Sequence, residues 1–290
     1  MRNGWLIVNG FLTGEKFTEI YDMLIEAGKK YDCNLRVLTN DQVLSILPIS
    51  DDSVEWRSIP DFVIFWDKDV RLAMALEAEG FRLFNSADAI MDCDDKARTF
   101  LKLKNKGFKM PKTYAAPLNF NQPYQEFAFL MQIEKNLGYP FIIKENCGSF
   151  GRQVYMVSDW NKAVKTINKI GHNDFIMQEF VEHSSGMDVR LQVVGDKVVT
   201  AMKRTNDNDF IANVTNGGKM EKYDPSKEEI DLALRVAKEL KLDFAGVDVL
   251  FSPDGPVLCE VNSNAHFKNI YDCTGVNVAE DIIKHIINSI

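Results

Sequence analysis

Apolar and polar positions set two rhythms at the start of the chain. Gly4–Asn9, "GWLIVN", is a continuous apolar run of strand length. In "EKFTEIYDMLIEAGKKY" the apolar residues Phe17, Ile20, Tyr21, Leu24 and Ile25 recur at helical spacing. Short apolar runs return at "NLRVLT", "DFVIFW" and "FRLFNS", and "DVRLAMALEAEG" between the last two predicts a helix that stops at Gly80. Strands alternating with helices predict a parallel α/β layer over roughly residues 1–90. "DDKARTFLKLKNKG" predicts a helix capped by Asp94 or Asp95 and closed by Gly107, and "MPKTYAAPLNFNQP" predicts a loop and a boundary.

From Tyr139 the pattern turns antiparallel. "YPFIIKENCGSFGRQVYMVS" reads as strand, glycine loop, strand, and "DFIMQEFVE" adds another strand. "DVRLQVVGDKVVTAMKR" adds two more, joined by a Gly-Asp hairpin turn. "SKEEIDLALRVAKEL" predicts a helix with Ser226 and Glu229 at capping-box spacing. The pattern as a whole is a mixed α/β (α+β) chain of 290 residues, long enough for more than one domain.

Composition changes this picture little. Apolar residues make up 46% and charged residues 26%, and the formal net charge of −8 disfavours broad nucleic-acid binding. No apolar stretch is long enough to span a bilayer, and the first residues carry no signal-peptide cleavage pattern. Five widely spaced cysteines with no CxxC argue against a disulfide framework or a zinc site and fit a reducing cytoplasm. No GxGxxG follows the early strands, so a dinucleotide site there is not expected.

The chemistry concentrates near the C-terminus, in "VDVLFSPDGPVLCEVN". With "PDG" as a three-residue hairpin loop and Gly255 at its positive-φ position, Asp248 pairs with Glu260 across the ladder. Like charges facing each other are destabilising without a counter-charge. Glu260 and Asn262 share a face, so three oxygen-bearing side chains converge on one patch. Such a set suits magnesium or manganese better than zinc; the competing reading is an exposed hairpin face with ordinary polar residues. In "KENCGSFGR", Gly148, Ser149 and Gly151 allow successive backbone N–H groups to cradle phosphate oxygens, with Lys144 at the end of the preceding strand. It is not a Walker A loop, and a plain glycine hairpin is the alternative.

"YPFIIKENCGSFGR", "MQEFVEHSSGMDVRLQVVGDKVV" and "DVLFSPDGPVLCEVNSN" in this order resemble the ATP-grasp superfamily, and within it the RimK-like carboxylate–amine ligases. The resemblance covers essentially the whole chain. It implies an ATP-grasp fold with an N-terminal Rossmann-like pre-ATP-grasp layer at 1–93, a central subdomain with the glycine loop at 94–182, and a C-terminal subdomain with the metal site at 183–290. It implies that Lys96 and Lys144 reach the nucleotide phosphates, that Gln178, Glu179, Phe180 and Val181 read adenine, and that Asp188 binds the ribose hydroxyls. Asp248, Glu260 and Asn262 match the magnesium ligands, with Glu260 bridging two ions, and Arg190 and Asn213 match positions near the phosphates and the acyl acceptor.

Two departures stand out. An arginine usual in the family is Ile211 here, and a basic residue usual before the paired glycines is Asn216. Lys203, Arg204 or Lys219 could supply the missing charge, with Arg204 the leading candidate. The activity implied is ATP-dependent amide formation through an acylphosphate. An amino acid, glutamate foremost, is joined to a carboxylate on a peptide, protein tail, carrier or small molecule. ATP and two Mg2+ ions (or Mn2+) serve as cofactors, in a cytoplasmic protein with no membrane partner. Self-association into a homo-oligomer stays open. The rival readings are a dipeptide or cofactor-tail ligase of the same fold and a non-catalytic nucleotide-binding module.

Overall fold

The computed structural model describes residues 1–47, 59–120, 124–148, 151–214 and 217–290. Three sheets carry the fold. In the first, strands β1 (Arg2–Val8), β2 (Cys33–Thr39), β3 (Phe62–Trp66) and β4 (Leu83–Phe84) lie in the order β2-β1-β3-β4, and every pair is parallel. Helix α1 (Glu15–Lys30) links β1 to β2, and α3 (Val70–Ala78) links β3 to β4. A short helix, α2 (Asn40–Leu44), follows β2. The apolar stripe on α1 buries Ile20 and Leu24, as the helical spacing requires. Asp69 caps α3 by accepting from the Leu72 amide at 3.1 Å.

The helix predicted over "DDKARTFLKLKNKG" is shorter than expected. α4 (Ala87–Asp94) precedes it, and α5 runs only over Lys96–Leu103, with Asp95 as its cap. "MPKTYAAPLNFNQP" is not all loop: β5 (Thr113–Ala115) forms there as a three-residue edge strand. Three residues between prolines at 111 and 117 are too few to show a period.

The second sheet is antiparallel, in the order β5-β8-β6-β7, from β6 (Phe141–Glu145), β7 (Val154–Val157) and β8 (Phe175–Glu179). Helices α6 (Ala128–Leu137) and α7 (Trp160–Ile170), which the strand-dominated pattern does not announce, cover it. The third sheet has the order β11-β10-β9-β12-β13 and is antiparallel throughout. Its strands are β9 (Met187–Val194), β10 (Lys197–Thr205), β11 (Lys219–Lys222), β12 (Phe244–Leu250) and β13 (Val257–Asn262). The two-residue turn Gly195-Asp196 joins β9 to β10 as expected, with Gly195 at φ +59°. Ser226 and Glu229 form the expected capping box of α8 (Lys227–Glu239).

One hydrophobic core joins the first and third sheets. α9 (Lys268–Thr274) and α10 (Val278–Ser289) complete the chain, and α10 packs against α1. Trp66 stacks on Phe244 at 5.5 Å between ring centroids within this core. Asn85, fully buried, ties the two sheets by donating to the carbonyls of Phe244 and Ser263 and accepting from the amides of Asp243 and Phe244. All four hydrogen-bonding positions of that amide are used, which removes the cost of burying it.

Candidate active site

β12 and β13 pair as the alternation requires: Asp248 faces Glu260 and Gly246 faces Asn262. The connection is not the expected three-residue loop. It spans residues 251–256, and the register slips by one because Cys259 is bulged out between Leu258 and Glu260. Gly255 has the expected positive φ, at +104°.

The counter-charge that two facing carboxylates need comes from the neighbouring strands. Arg190 on β9 lies beside Asp248, and Arg204 on β10 lies beside Asp188. Arg190 donates twice to Asp248, from Nε and Nη2, each at 2.7 Å. Arg204 donates to both oxygens of Asp188 at 2.6 and 2.7 Å and reaches Asp248 at 3.0 Å. Burial pushes the Asp248 carboxyl up, but Arg190 and Arg204 more than offset this and hold it below the usual carboxylate range. Burial dominates at Asp188, whose carboxyl is raised although Arg204 pulls it the other way. Two acids and two bases make this group neutral.

Arg204, the cation expected to make up for the family arginine at Ile211, faces the cleft as expected but already pairs with acids. It is buried, and its guanidinium is held by two aspartates. Of the other candidates, Lys203 pairs with Glu221 at 3.5 Å and Lys219 with Asp207 at 3.1 Å. Neither lines the cleft described next.

A cleft of about 510 Å3 runs over this face of the third sheet. Glu260 and Asn262 line it together with Asp248, Arg190, Arg204 and Asp188. The second sheet brings Lys144, Gly148, Gly151 and the strand end Gln178, Glu179, Phe180 and Val181 to the same cavity, and α5 brings Lys96. Ile211 and Asn213 close one side. Ser149 and Asn216 lie outside the described residues.

Lys96 is not a solvated helix lysine. It is only 9% exposed, with Nζ 3.5 Å from Glu260 and 3.4 Å from the Asn146 carbonyl. Lys144 is also buried, with Nζ 3.9 Å from the Cys259 sulfur. Burial pushes the Cys259 thiol up to about 11, although Lys144 acts in the opposite direction. Gly151 sits at φ +72°, where a side chain would be strained. Gln178 donates to the Thr113 hydroxyl at 2.8 Å, and the Glu179 carboxylate accepts from the Lys112 amide at 3.0 Å. Phe180 meets Phe210 edge-on at 6.5 Å.

An oxygen-only set of this kind suits a hard divalent cation. Glu260 keeps its side chain 30% exposed to the cleft, and the Asn262 amide nitrogen is buried without a partner, so no hydrogen bond pins that amide among the described residues. Glu260 fits a magnesium ion directly, and Asn262 fits one through its amide oxygen, because no hydrogen bond among the described residues fixes which way that amide points. Asp248 fits only by exchanging an arginine. Among the described residues no cluster of three His, Cys, Asp or Glu side chains gathers for a metal.

The opposite wall comes from the first sheet and from the turn after β13. Asp67, Lys68, Lys16, Phe17, Asn264 and His266 line it, and sequence reasoning assigned none of them to the site. A signal was available. Asp67 and Lys68 directly follow the apolar run of β3, and open α/β sheets bind ligands beyond the carboxyl ends of their strands. Burial holds the His266 imidazole below its usual range, and its Nε2 pairs with the Lys16 carbonyl at 2.7 Å.

Residues 93–286 match the RimK-like ATP-grasp domain. The chain belongs to the RimK-like ATP-grasp family. A probable alpha-L-glutamate ligase of Legionella pneumophila is 36% identical over 214 residues, which is 73% of this chain and 68% of that protein. An uncharacterized protein of Mycoplasma genitalium is 33% identical over 233 residues, covering 79% of this chain and 81% of its own length. The crystal structure of a RimK domain ATP-grasp protein from Sphaerobacter thermophilus aligns over 98% of both chains with a TM-score of 0.73 at 19% identity, a likeness of fold. The ATP-grasp fold is thus the fold of this chain. Its family is one of ligases, which in general use ATP and Mg2+ and bind an amino acid and an acceptor. No helix among the described residues is long and apolar enough to cross a membrane.

Proposed function

We propose that the protein joins an amino acid, with glutamate the first candidate, to a carboxylate on a peptide, protein tail, carrier or small molecule, through an acylphosphate and with release of ADP. The observation that carries this reading is the convergence of Lys96, Lys144, Glu260 and Asn262 on one cavity, although they come from three separate parts of the chain. In the first step a substrate carboxylate attacks the γ-phosphorus of ATP and ADP leaves. In the second an amine attacks the acyl carbon, phosphate leaves with the bonding pair, and the amine proton passes to solvent or a base.

Lys96 and Lys144 would hold the phosphates as point charges in a partly dry site, where such charges count most. The strand end Gln178–Val181 and the Phe180–Phe210 pair would receive adenine. Asn213 would sit near the acceptor and Asp188 would serve the ribose side through its arginine-held carboxylate. Magnesium, at one or two positions on Glu260, Asn262 and Asp248, with manganese as a substitute, would neutralise the oxygens of the transferring phosphoryl group. Arg190 would be the residue freed when Asp248 changes partners. Subdomains divided near residues 93 and 182 would let the glycine loop close over the nucleotide. Five unpaired cysteines fit a cytoplasmic setting.

The test is a mass-spectrometric screen of amino acids against peptide and small carboxylates with Mg2+ and ATP. The expected result is a product heavier by the amino acid less one water, formed together with ADP. Nucleotide binding with no ligated product across the screen would leave only a binding module.

A further inference from the structure

Beyond the nucleotide side, the cleft contains a group of acceptors with no assigned task. Asp67 is 7% exposed and lies just past the end of β3. Asn9 lies just past the end of β1. In the order β2-β1-β3-β4 the chain runs outward from β1 to one side and returns to β3 on the other, so the gap between β1 and β3 is the sheet's switch point. Open parallel sheets bind ligands in the crevice at that point. Asn9 Nδ2 bridges the two Asp67 oxygens at 3.2 and 3.3 Å, and the Lys68 amide donates to Oδ1 at 2.6 Å. The Asp69 backbone amide is a third donor to the carboxylate, which still keeps lone-pair capacity beyond the three. Burial pushes its carboxyl above the usual range, a cost that a bound cation would relieve.

Asn264 adds a second acceptor. Its Nδ2 donates to the Asp67 backbone carbonyl at 2.7 Å, which only a nitrogen can do, so the orientation of the amide is fixed. The remaining atom, Oδ1, is then buried with no partner. An orphaned acceptor beside a buried carboxylate, both lining the cleft, calls for a donor of positive charge. Lys16 and Lys68 stand in the same wall, Lys68 with its Nζ 3.0 Å from Asp94.

We infer that Asp67 and Asn264 form a subsite for the primary ammonium group of the amino-acid substrate. The inference rests on the ligase reading for the rest of the cleft. The ammonium belongs either to the attacking amino acid or to the carboxylate-bearing substrate. Product mass before and after reductive methylation separates the two. An amide nitrogen resists methylation, whereas a retained amine gains methyl groups.

The deciding experiment is calorimetric binding of L-glutamate, glutarate and N-acetyl-L-glutamate to the full-length protein saturated with a non-hydrolysable ATP analogue and Mg2+. Wild type should bind glutamate at least about tenfold more tightly than the two probes without an ammonium. Asp67→Asn should erase that preference while nucleotide affinity holds. If Asp67→Asn does not fold, Asn264→Leu should reduce the preference several-fold. Equal affinities for the three probes, or a preference untouched by the substitutions, would overturn the subsite. A protein that forms amides but binds glutamate no better than glutarate loses the subsite alone. One that prefers glutamate through Asp67 but never yields ADP loses the ligase reading alone.

Discussion

Two halves of the cleft handle charge differently. On β9, β10 and β12, Asp188, Arg204, Asp248 and Arg190 form a closed, neutral set whose charged hydrogen bonds are all 2.7 Å or shorter, apart from one ion pair at 3.0 Å. On the facing side, Lys96 lies 3.5 Å from Glu260, and among the described residues Lys144 finds only a thiol at 3.9 Å. Buried charge is costly unless paired and hydrogen-bonded. The tight half therefore belongs to the folded state itself, whereas the loose half is poised for an anion and a cation from outside. Substitutions in the first half should act on stability as well as on ligand binding, and those in the second on ligand binding and turnover with little loss of stability.

The largest effect should come from breaking the closed set. Asp248→Ala leaves buried Arg204 and half-buried Arg190 short of an acid and should destabilise the fold by about 3–5 kcal/mol, measured by denaturant unfolding. Arg204→Ala should lie in the same range, whereas Lys222→Ala on the exposed strand β11 should stay within about 0.5 kcal/mol. A large loss of activity in Arg204→Ala with unchanged stability would place that arginine in the loose half instead. The pH dependence sharpens the same point. Because the folded Asp248 carboxyl is depressed, its contribution is present in full above about pH 4 and is lost as pH falls through its lower folded value. Wild-type and Asp248→Asn stabilities should therefore converge on acidification.

Next in size is Glu260→Gln. It keeps the shape and removes one charge from the loose half, so ADP release should fall by about 100-fold or more with little change in unfolding midpoint. Lys144→Ala should follow, weakening ATP binding by about tenfold without unfolding the protein. A stability loss as large as that of Asp248→Ala in either variant would erase the distinction between the halves. The smallest effect concerns the thiols. With its thiol near 11, Cys259 is roughly a thousandth thiolate at pH 8 and should resist alkylation. Exposed Cys147, beside the glycine loop, should react first and be protected by ATP.

What the sequence showed of this cleft follows from the range of each interaction. The facing of Asp248 and Glu260 was legible because alternation and a turn fix a local register. The bulge at Cys259 was not, since a one-residue slip leaves both apolar runs intact. The arginines facing Asp248 could not be read from spacing, because Arg190 is 58 residues away along the chain and meets it only when β9 and β12 pair. This is why the like-charge argument pointed to a metal alone, whereas the fold supplies guanidinium groups first. The parallel layer was legible in its alternating elements, yet its share of the cleft was not. Asp67 and Asn264 stand at element ends, where a polar residue looks like any loop residue. Helices α6 and α7 went unannounced beside stronger strand signals, and β5 was too short to carry a period.

The central claim is that the loose half of the cleft couples ATP cleavage to amide formation. The most direct measurement is the stoichiometry of ADP, phosphate and ligated product when the protein turns over an amino acid and a carboxylate with ATP and Mg2+. Equal amounts of the three, with none formed when either substrate is left out and all three lost together in Glu260→Gln, are the predicted result. ADP formed without product, or product formed equally well by Glu260→Gln, would contradict it.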